Sequence, residues 1–132
     1  ELAAAADYFL PGYDELKLLY DTDDPAEIRA RIRELSAITV VKNANGANWL
    51  YDGNDFREFP FEPVRIVDPV GAGDGFAAGF LAGVLNGGPL DKAVELAAIA
   101  GALAVQAEGD WESLPHLREV EQALGRTRHI ER

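Results

Sequence analysis

Asp74 stands directly behind Gly71-Ala72-Gly73 and ahead of an apolar, helix-spaced run, within Ile66-Val67-Asp68-Pro69-Val70-Gly71-Ala72-Gly73-Asp74-Gly75-Phe76-Ala77-Ala78-Gly79-Phe80. The order reads as a strand, a glycine-rich turn and a helix start. Backbone N–H groups at a helix N-terminus lack intrahelical acceptors, and the helix dipole adds positive potential, so such a turn suits a phosphate or the charge that develops during phosphoryl transfer. Glycine permits the close approach. Phosphate binding alone poorly explains an acid inside such a turn. A carboxylate beside an anion hole can instead take the proton of a hydroxyl nucleophile while the N–H groups stabilise the transferring group. The alternative is a plain strand-to-helix turn whose glycines only satisfy backbone geometry.

Competing motifs can be tested against the same stretch. A Walker loop requires a lysine after its second glycine, and no lysine occurs between Lys42 and Lys92. A dinucleotide fingerprint has partial support in Gly73-x-Gly75-x-x-Ala78, but Asn86-Gly87-Gly88-Pro89 and a second helix stand where a strand with an acidic end is required. Cysteine is absent, which excludes disulfides and thiolate metal sites. His116 and His129 have no metal-ligand spacing and are assigned no role.

The elements that must position Asp74 follow from local pattern. Residues 7–10 read as a buried strand closed by Pro11-Gly12, and a short helix follows over 13–20. Asp24, Pro25 and Glu27 fit an N-cap, a first-turn proline and the third-position acid of a capping box, which starts a helix running to about Leu35. Residues 38–41 form a β-branched strand, and 49–51 with 56–61 form a hairpin around Asp52-Gly53-Asn54-Asp55. A strand at 65–68 leads to helices over 74–85 and 90–107, and a last helix from 115 or 116 to 124 is closed by Gly125. Ala78, Gly79, Ala82 and Gly83 are small enough for close helix packing. The alternation implies an α/β layered fold.

Composition bounds the partners. The apolar fraction of 48% supports a packed core, yet no apolar run approaches the ~18 residues of a membrane span. A net charge of −11, with a short basic cluster only at 126–132, argues against nucleic acid as a partner. A soluble, cytoplasmic protein is expected. The chain has no methionine and opens in an alanine-rich stretch, residues 1–6, that reads as a helix tail, so it is read as part of a longer protein.

Asp68-Pro69-Val70-Gly71-Ala72-Gly73-Asp74, continued by Gly-Phe-Ala-Ala-Gly-Phe-Leu-Ala-Gly, closely resembles the C-terminal signature of ribokinase-like (PfkB-type) carbohydrate kinases. The resemblance extends over essentially the whole chain. It implies a ribokinase-like α/β/α sandwich of which residues 1–132 are the C-terminal, nucleotide-binding and catalytic part, without the N-terminal sugar-binding part and lid. It implies ATP and Mg²⁺ as cofactors, Asp74 as catalytic base, and the N–H groups of Gly71, Ala72 and Gly73 as the anion hole for the γ-phosphate. The partners are then a small-molecule sugar, ATP and the missing N-terminal half, with homo-oligomerisation left open. The chain by itself is expected to be inactive.

The segment from Ala6 to Glu15 resembles the family stretch that places a glutamate near Mg²⁺ and the phosphates, acting through water, and Glu15 falls in that place. Gly12 stands where asparagine or serine is usual, and a solvated first-turn acid is the other reading of Glu15. Lys42, Asn43, Ala44, Asn45, Gly46 and Ala47 resemble the family's nucleotide-touching loop, with Ala44 in place of the first glycine and the second glycine one residue early. An ordinary Asn-Gly turn is the alternative. Ala97-Ala98 replaces the usual Ala-Asn at the adenine pocket. The Asp-Pro-Val variant, the segment Phe9-Leu10-Pro11 and Gly109-Asp110-Trp111-Glu112-Ser113-Leu114-Pro115 together resemble 2-keto-3-deoxygluconate kinases, in which the aspartate matching Asp110 approaches the sugar acid. Asp110 as a turn residue stays open, and Trp111 is expected to pack on a helix edge.

Overall fold

The structure is a computed structural model that describes residues 1–130, with side chains described through Gly125. The chain divides into two compact units, residues 1–62 and 63–132. In the first, a one-turn helix α1 (Leu2–Ala5) precedes strand β1 (Tyr8–Phe9), helices α2 (Tyr13–Tyr20) and α3 (Pro25–Arg33), and strands β2 (Ile38–Ala44), β3 (Ala47–Tyr51) and β4 (Phe56–Pro60). The sheet runs β1-β2-β3-β4: β1 lies parallel to β2, with Tyr8 beside Ile38, and the other two pairings are antiparallel. A covered face of Val41, Ala44, Trp49 and Tyr51 packs with Tyr13 and Leu16 of α2 and Ile28 and Ile32 of α3. The expected strand at 7–10 is shorter and less buried than its apolar run suggests, because β1 borders only β2 among the described strands.

Caps set the helix starts. Asp24 accepts the Ala26 N–H at 2.9 Å, and Pro25 opens α3 as anticipated. Glu27 does not close a direct capping box. Its carboxylate takes the Thr22 hydroxyl at 2.9 Å, and the same Thr22 oxygen accepts the Asp24 N–H at 3.2 Å. Between β3 and β4, one Asp52 oxygen accepts the N–H groups of Asn54 and Asp55, each at 3.0 Å. Those bonds, Asp55's first, hold the Asp52 carboxyl below the ordinary carboxylate range, with a smaller contribution from Arg57. The Arg29 guanidinium lies 4.1 Å from the Trp49 ring centre and 5.1 Å from that of Phe56, and pairs with Glu58, tying α3 to β3 and β4.

The second unit is helical: α4 (Ala72–Leu85), α5 (Leu90–Ala104), a 3₁₀ turn Trp111–Ser113 and α6 (Leu117–Ile130). The strand expected at 65–68 does not form. Val67 and Asp68 both send their N–H groups to the Val105 carbonyl, at 2.7 and 3.2 Å, and no described strand pairs with them. Helix α4 starts two residues earlier than the apolar pattern indicates, and α6 continues through Gly125.

Helices α4 and α5 meet backbone to backbone. A methyl group added at Gly79 would come within 2.9 Å of the Ala97 Cα, and one at Gly83 within 2.5 Å of the Ala93 Cα. Ala97 is therefore occupied in helix packing. Since the atoms facing Gly83 are the backbone and the short side chain of Ala93, nothing there can swing aside. Gly83→Ala is expected to lower unfolding stability by ~1–3 kcal/mol through overpacking. Gly125 sits inside α6 with open space around its Cα, so Gly125→Ala is expected to raise it by ~0.5–1 kcal/mol. Urea denaturation of the two variants, with opposite signs expected, checks this packing.

Candidate functional site

In the second unit, Gly71 is the N-cap of α4 with φ 81° and ψ −9°, a left-handed conformation that glycine adopts without steric cost. The first α-helical bond runs from the Gly75 N–H to the Gly71 carbonyl at 2.8 Å. The N–H groups of Gly73 and Asp74 precede that bond and, as first-turn donors, have no acceptor within the helix. Ala72 reaches the Pro69 carbonyl only at 3.5 Å. Asp74 is the third residue of α4, its acid of the first turn, and both it and Gly73 are exposed. One turn thus presents to solvent both N–H donors and a carboxylate.

The structure brings Asp110 to this turn. A Cβ at Gly71 would lie 3.1 Å from the Asp110 carbonyl oxygen and 3.3 Å from its Oδ1. Two residues that the sequence did not single out hold the arrangement. Asp68 accepts the Val70 N–H on Oδ1 at 3.0 Å and the Gly109 N–H on Oδ2 at 3.4 Å, and the Ser113 hydroxyl lies 2.8 and 2.7 Å from the carbonyls of Gly109 and Asp110. The Asp68–Val70 bond has the i to i+2 spacing of an Asx turn and is legible in sequence. The bond to Gly109, 41 residues away, has no local signal. Trp111 does not pack on a helix edge as expected: the 3₁₀ turn points Ser113 inward and leaves Trp111 74% exposed. His116 is exposed, with its N–H on the Glu119 carboxylate at 2.7 Å. The side chain of His129 lies outside the described residues.

In the first unit, the Lys42 N–H donates to the Pro11 carbonyl at 2.8 Å, and Gly12 and Lys42 form a parallel bridge. This extends the β1–β2 pairing past its carboxyl ends, the end at which open α/β sheets bind ligands. The Gly12 cap of α2 and the 42–47 segment thus lie side by side. Glu15 accepts the Gly12 N–H on Oε2 at 2.6 Å; with glycine at the cap, only this half of a capping box exists. Segment 42–47 is a tight hairpin in which Ala44 pairs with Ala47 across Asn45 and Gly46, whose φ values are 54° and 86°. Positive φ at both central residues is the Asn-Gly hairpin turn. Ala44 and Ala47 are buried, backbone included, so the surface this segment offers a ligand is that of Asn43, Asn45 and Gly46, which are exposed, and of half-buried Lys42.

Among the described residues no group of three or more His, Asp or Glu side chains forms a metal cluster. Mg²⁺ does not require one, because it keeps several waters and takes one or two carboxylates together with substrate phosphates. Glu15 fits that need: it is exposed, and its hydrogen bond to Gly12 uses Oε2.

The sequence profile described as pfkB family carbohydrate kinase matches residues 1–117. The chain belongs to this family. This PfkB chain is 37% identical over 113 residues to 2-dehydro-3-deoxygluconokinase of Thermoproteus tenax, covering 84% of this chain and 34% of that one. It is 34% identical over 133 residues to 2-dehydro-3-deoxygluconokinase of Bacillus subtilis (strain 168), covering 98% and 41%. A putative ribokinase II of E. coli, solved in complex with ATP and Mg²⁺, superposes on the PfkB chain with a TM-score of 0.84 at 30% identity, over 95% of this chain and 41% of that one. The fold is therefore α/β and ribokinase-like, and the PfkB chain spans about two fifths or less of the length of these relatives. No helix of the described residues is long and apolar enough to cross a membrane.

Gly71→Ala provides a direct test of the turn. The handedness of residue 71 alone costs ~1–2 kcal/mol for a residue with a Cβ, and Asp110 must also give way. Loss of thermal stability with an unfolding midpoint several degrees below that of the parent is the expected result.

Proposed function

We propose that the full-length protein transfers the γ-phosphoryl group of ATP to a hydroxyl of a sugar acid, with 2-keto-3-deoxygluconate as substrate. The observation that carries this reading is Asp74 in the first turn of α4, exposed beside N–H groups that have no helical acceptor. The sugar hydroxyl oxygen attacks the γ-phosphorus, its proton passes to the Asp74 carboxylate, and the bond to the β–γ bridging oxygen breaks to release ADP. The N–H groups of the turn made by Gly71, Ala72 and Gly73 donate to the γ-phosphoryl oxygens as charge shifts. Asp110, held beside that turn, contacts the sugar acid. Segment 42–47 contacts the nucleotide through exposed backbone and the side chains of Lys42, Asn43 and Asn45. Glu15 holds Mg²⁺ through water, and when bound the ion neutralises phosphate charge. Residues 1–132 act in this reading as the nucleotide-binding and catalytic part, and the remainder of the protein supplies most of the sugar site.

Asp74→Asn keeps the size of the side chain and removes the base. In the full-length protein kcat is expected to fall ~10²–10⁴-fold, while ATP affinity stays within a few-fold. A loss under tenfold would overturn the assignment. Phosphorylation of ribose, fructose or a nucleoside, with 2-keto-3-deoxygluconate untouched, would move the substrate and leave the base in place.

Glu15→Gln isolates the charge, because the amide oxygen can still accept the Gly12 N–H. The Mg²⁺ concentration for half-maximal rate is expected to rise with an unchanged melting temperature. If that concentration does not change, Glu15 is a helix cap and nothing more.

A further inference from the structure

The nucleotide-loop segment departs from its family pattern at Ala44, and the structure contains a device that fixes the loop in the absence of that glycine. Pairing between β2 and β3 is regular from Thr39–Tyr51 to Val41–Trp49 and resumes at Ala44–Ala47, with a register shift between. Two residues, Lys42 and Asn43, therefore face one, Asn48, as in a β-bulge. Bulges leave ladder donors unpaired. The Lys42 N–H belongs to the other edge of β2, where the Pro11 carbonyl takes it at 2.8 Å. The Asn43 N–H is taken by a side chain: Asn48 Oδ1 accepts it at 3.1 Å. Asn43 itself has φ 57°, a left-handed conformation that asparagine tolerates better than most residues. Asn48 is 4% exposed, in a strand whose residues are all buried. A polar side chain at such a position needs a hydrogen-bonding reason, and the bulge supplies it.

We infer that Asn48 is a positioning residue for the nucleotide: its carboxamide closes the bulge, fixes the backbone of Lys42 and Asn43, and so orders the turn at Asn45 and Gly46 before the nucleotide binds. The inference rests on the reading of 42–47 as the nucleotide loop. A loop ordered in advance loses less entropy when it binds, so the effect falls on affinity and not on chemistry. A side chain to backbone hydrogen bond contributes ~0.5–1.5 kcal/mol net, which corresponds to about two- to tenfold in the KM for ATP.

The test uses the full-length kinase and three variants. Asn48→Ala removes the acceptor, Asn48→Asp keeps one, and Gly46→Val alters the loop tip, where φ is 86°. For Asn48→Ala the expected result is a KM for ATP raised about two- to tenfold, with kcat and the sugar KM within twofold. Asn48→Asp is expected to restore most of the ATP KM, and amide hydrogen exchange at Asn43 should be faster in Asn48→Ala only. If Gly46→Val raises the ATP KM and Asn48→Ala does not, the positioning role is overturned while the nucleotide loop stands. If neither variant changes it, the loop reading fails and the inference with it. An Asn48→Ala protein that loses melting temperature but keeps its ATP KM, or raises both KM values alike, also overturns the inference. Should Asn48→Ala fail to fold, the exchange rate at Asn43 and the ATP KM of Asn48→Asp decide it: a protected amide with parental KM supports the role, and a protected amide with a raised KM overturns it.

Discussion

Residue 71 must take a positive φ, and much of the second unit's geometry follows from that. The left-handed cap turns the chain sharply enough for the Gly71 carbonyl to accept the first helical bond. Helix α4 therefore begins at Ala72, which places Asp74 on the first turn among unsatisfied N–H groups. A residue without Cβ also leaves room for the Asp110 backbone. A side chain at residue 71 would oppose both the turn and the approach of Gly109 and Asp110. Asp68 reinforces the geometry from behind by holding Val70 and Gly109 with one carboxylate.

The two candidate regions differ in how their donors are committed. In the 71–74 turn, the helix start leaves the first N–H groups without an acceptor inside the helix. In the 42–47 hairpin almost everything is answered internally: Lys42 by Pro11, Asn43 by Asn48, Asn45 by the Asn43 carbonyl, and the Gly46 carbonyl by the Phe61 N–H. The turn is suited to charge that appears during a reaction, while the hairpin is suited to presenting a fixed surface. Glu15 lies between these extremes, with one oxygen committed to a cap.

What was legible in the sequence was local. The start of α3 followed from Asp24 and Pro25, the hairpin around residues 52–55 from its turn residues, and the position of Asp74 at a helix start from the glycine-rich run before it. The close helix pair followed from glycine and alanine spacing. What failed depended on partners elsewhere in the chain. Residues 65–68 have strand composition, yet Val105 and not a strand takes their N–H groups. The end of α6 was misread because Gly125 is a helix stop only where the chain adopts a capping conformation. Asn48 and the Asp68–Gly109 bond were invisible because a hydrogen bond set by strand register or loop approach leaves no periodic trace. The resemblance set Asp110 against the sugar acid, and its nearness to Gly71 is visible only in the structure.

The placement of the two tryptophans has an optical consequence. Trp49 is 4% exposed, beneath the Arg29 guanidinium in the first unit, and Trp111 is 74% exposed in the second. Each unit thus carries one indole, and the two sit in opposite solvents: a packed interior gives emission at shorter wavelength, water at longer. Intrinsic fluorescence is therefore a two-colour reporter built into the chain. Loss of the short-wavelength component follows melting of the sheet around Trp49, while quenching of the long-wavelength component by a small solute follows access to the loop that carries Asp110.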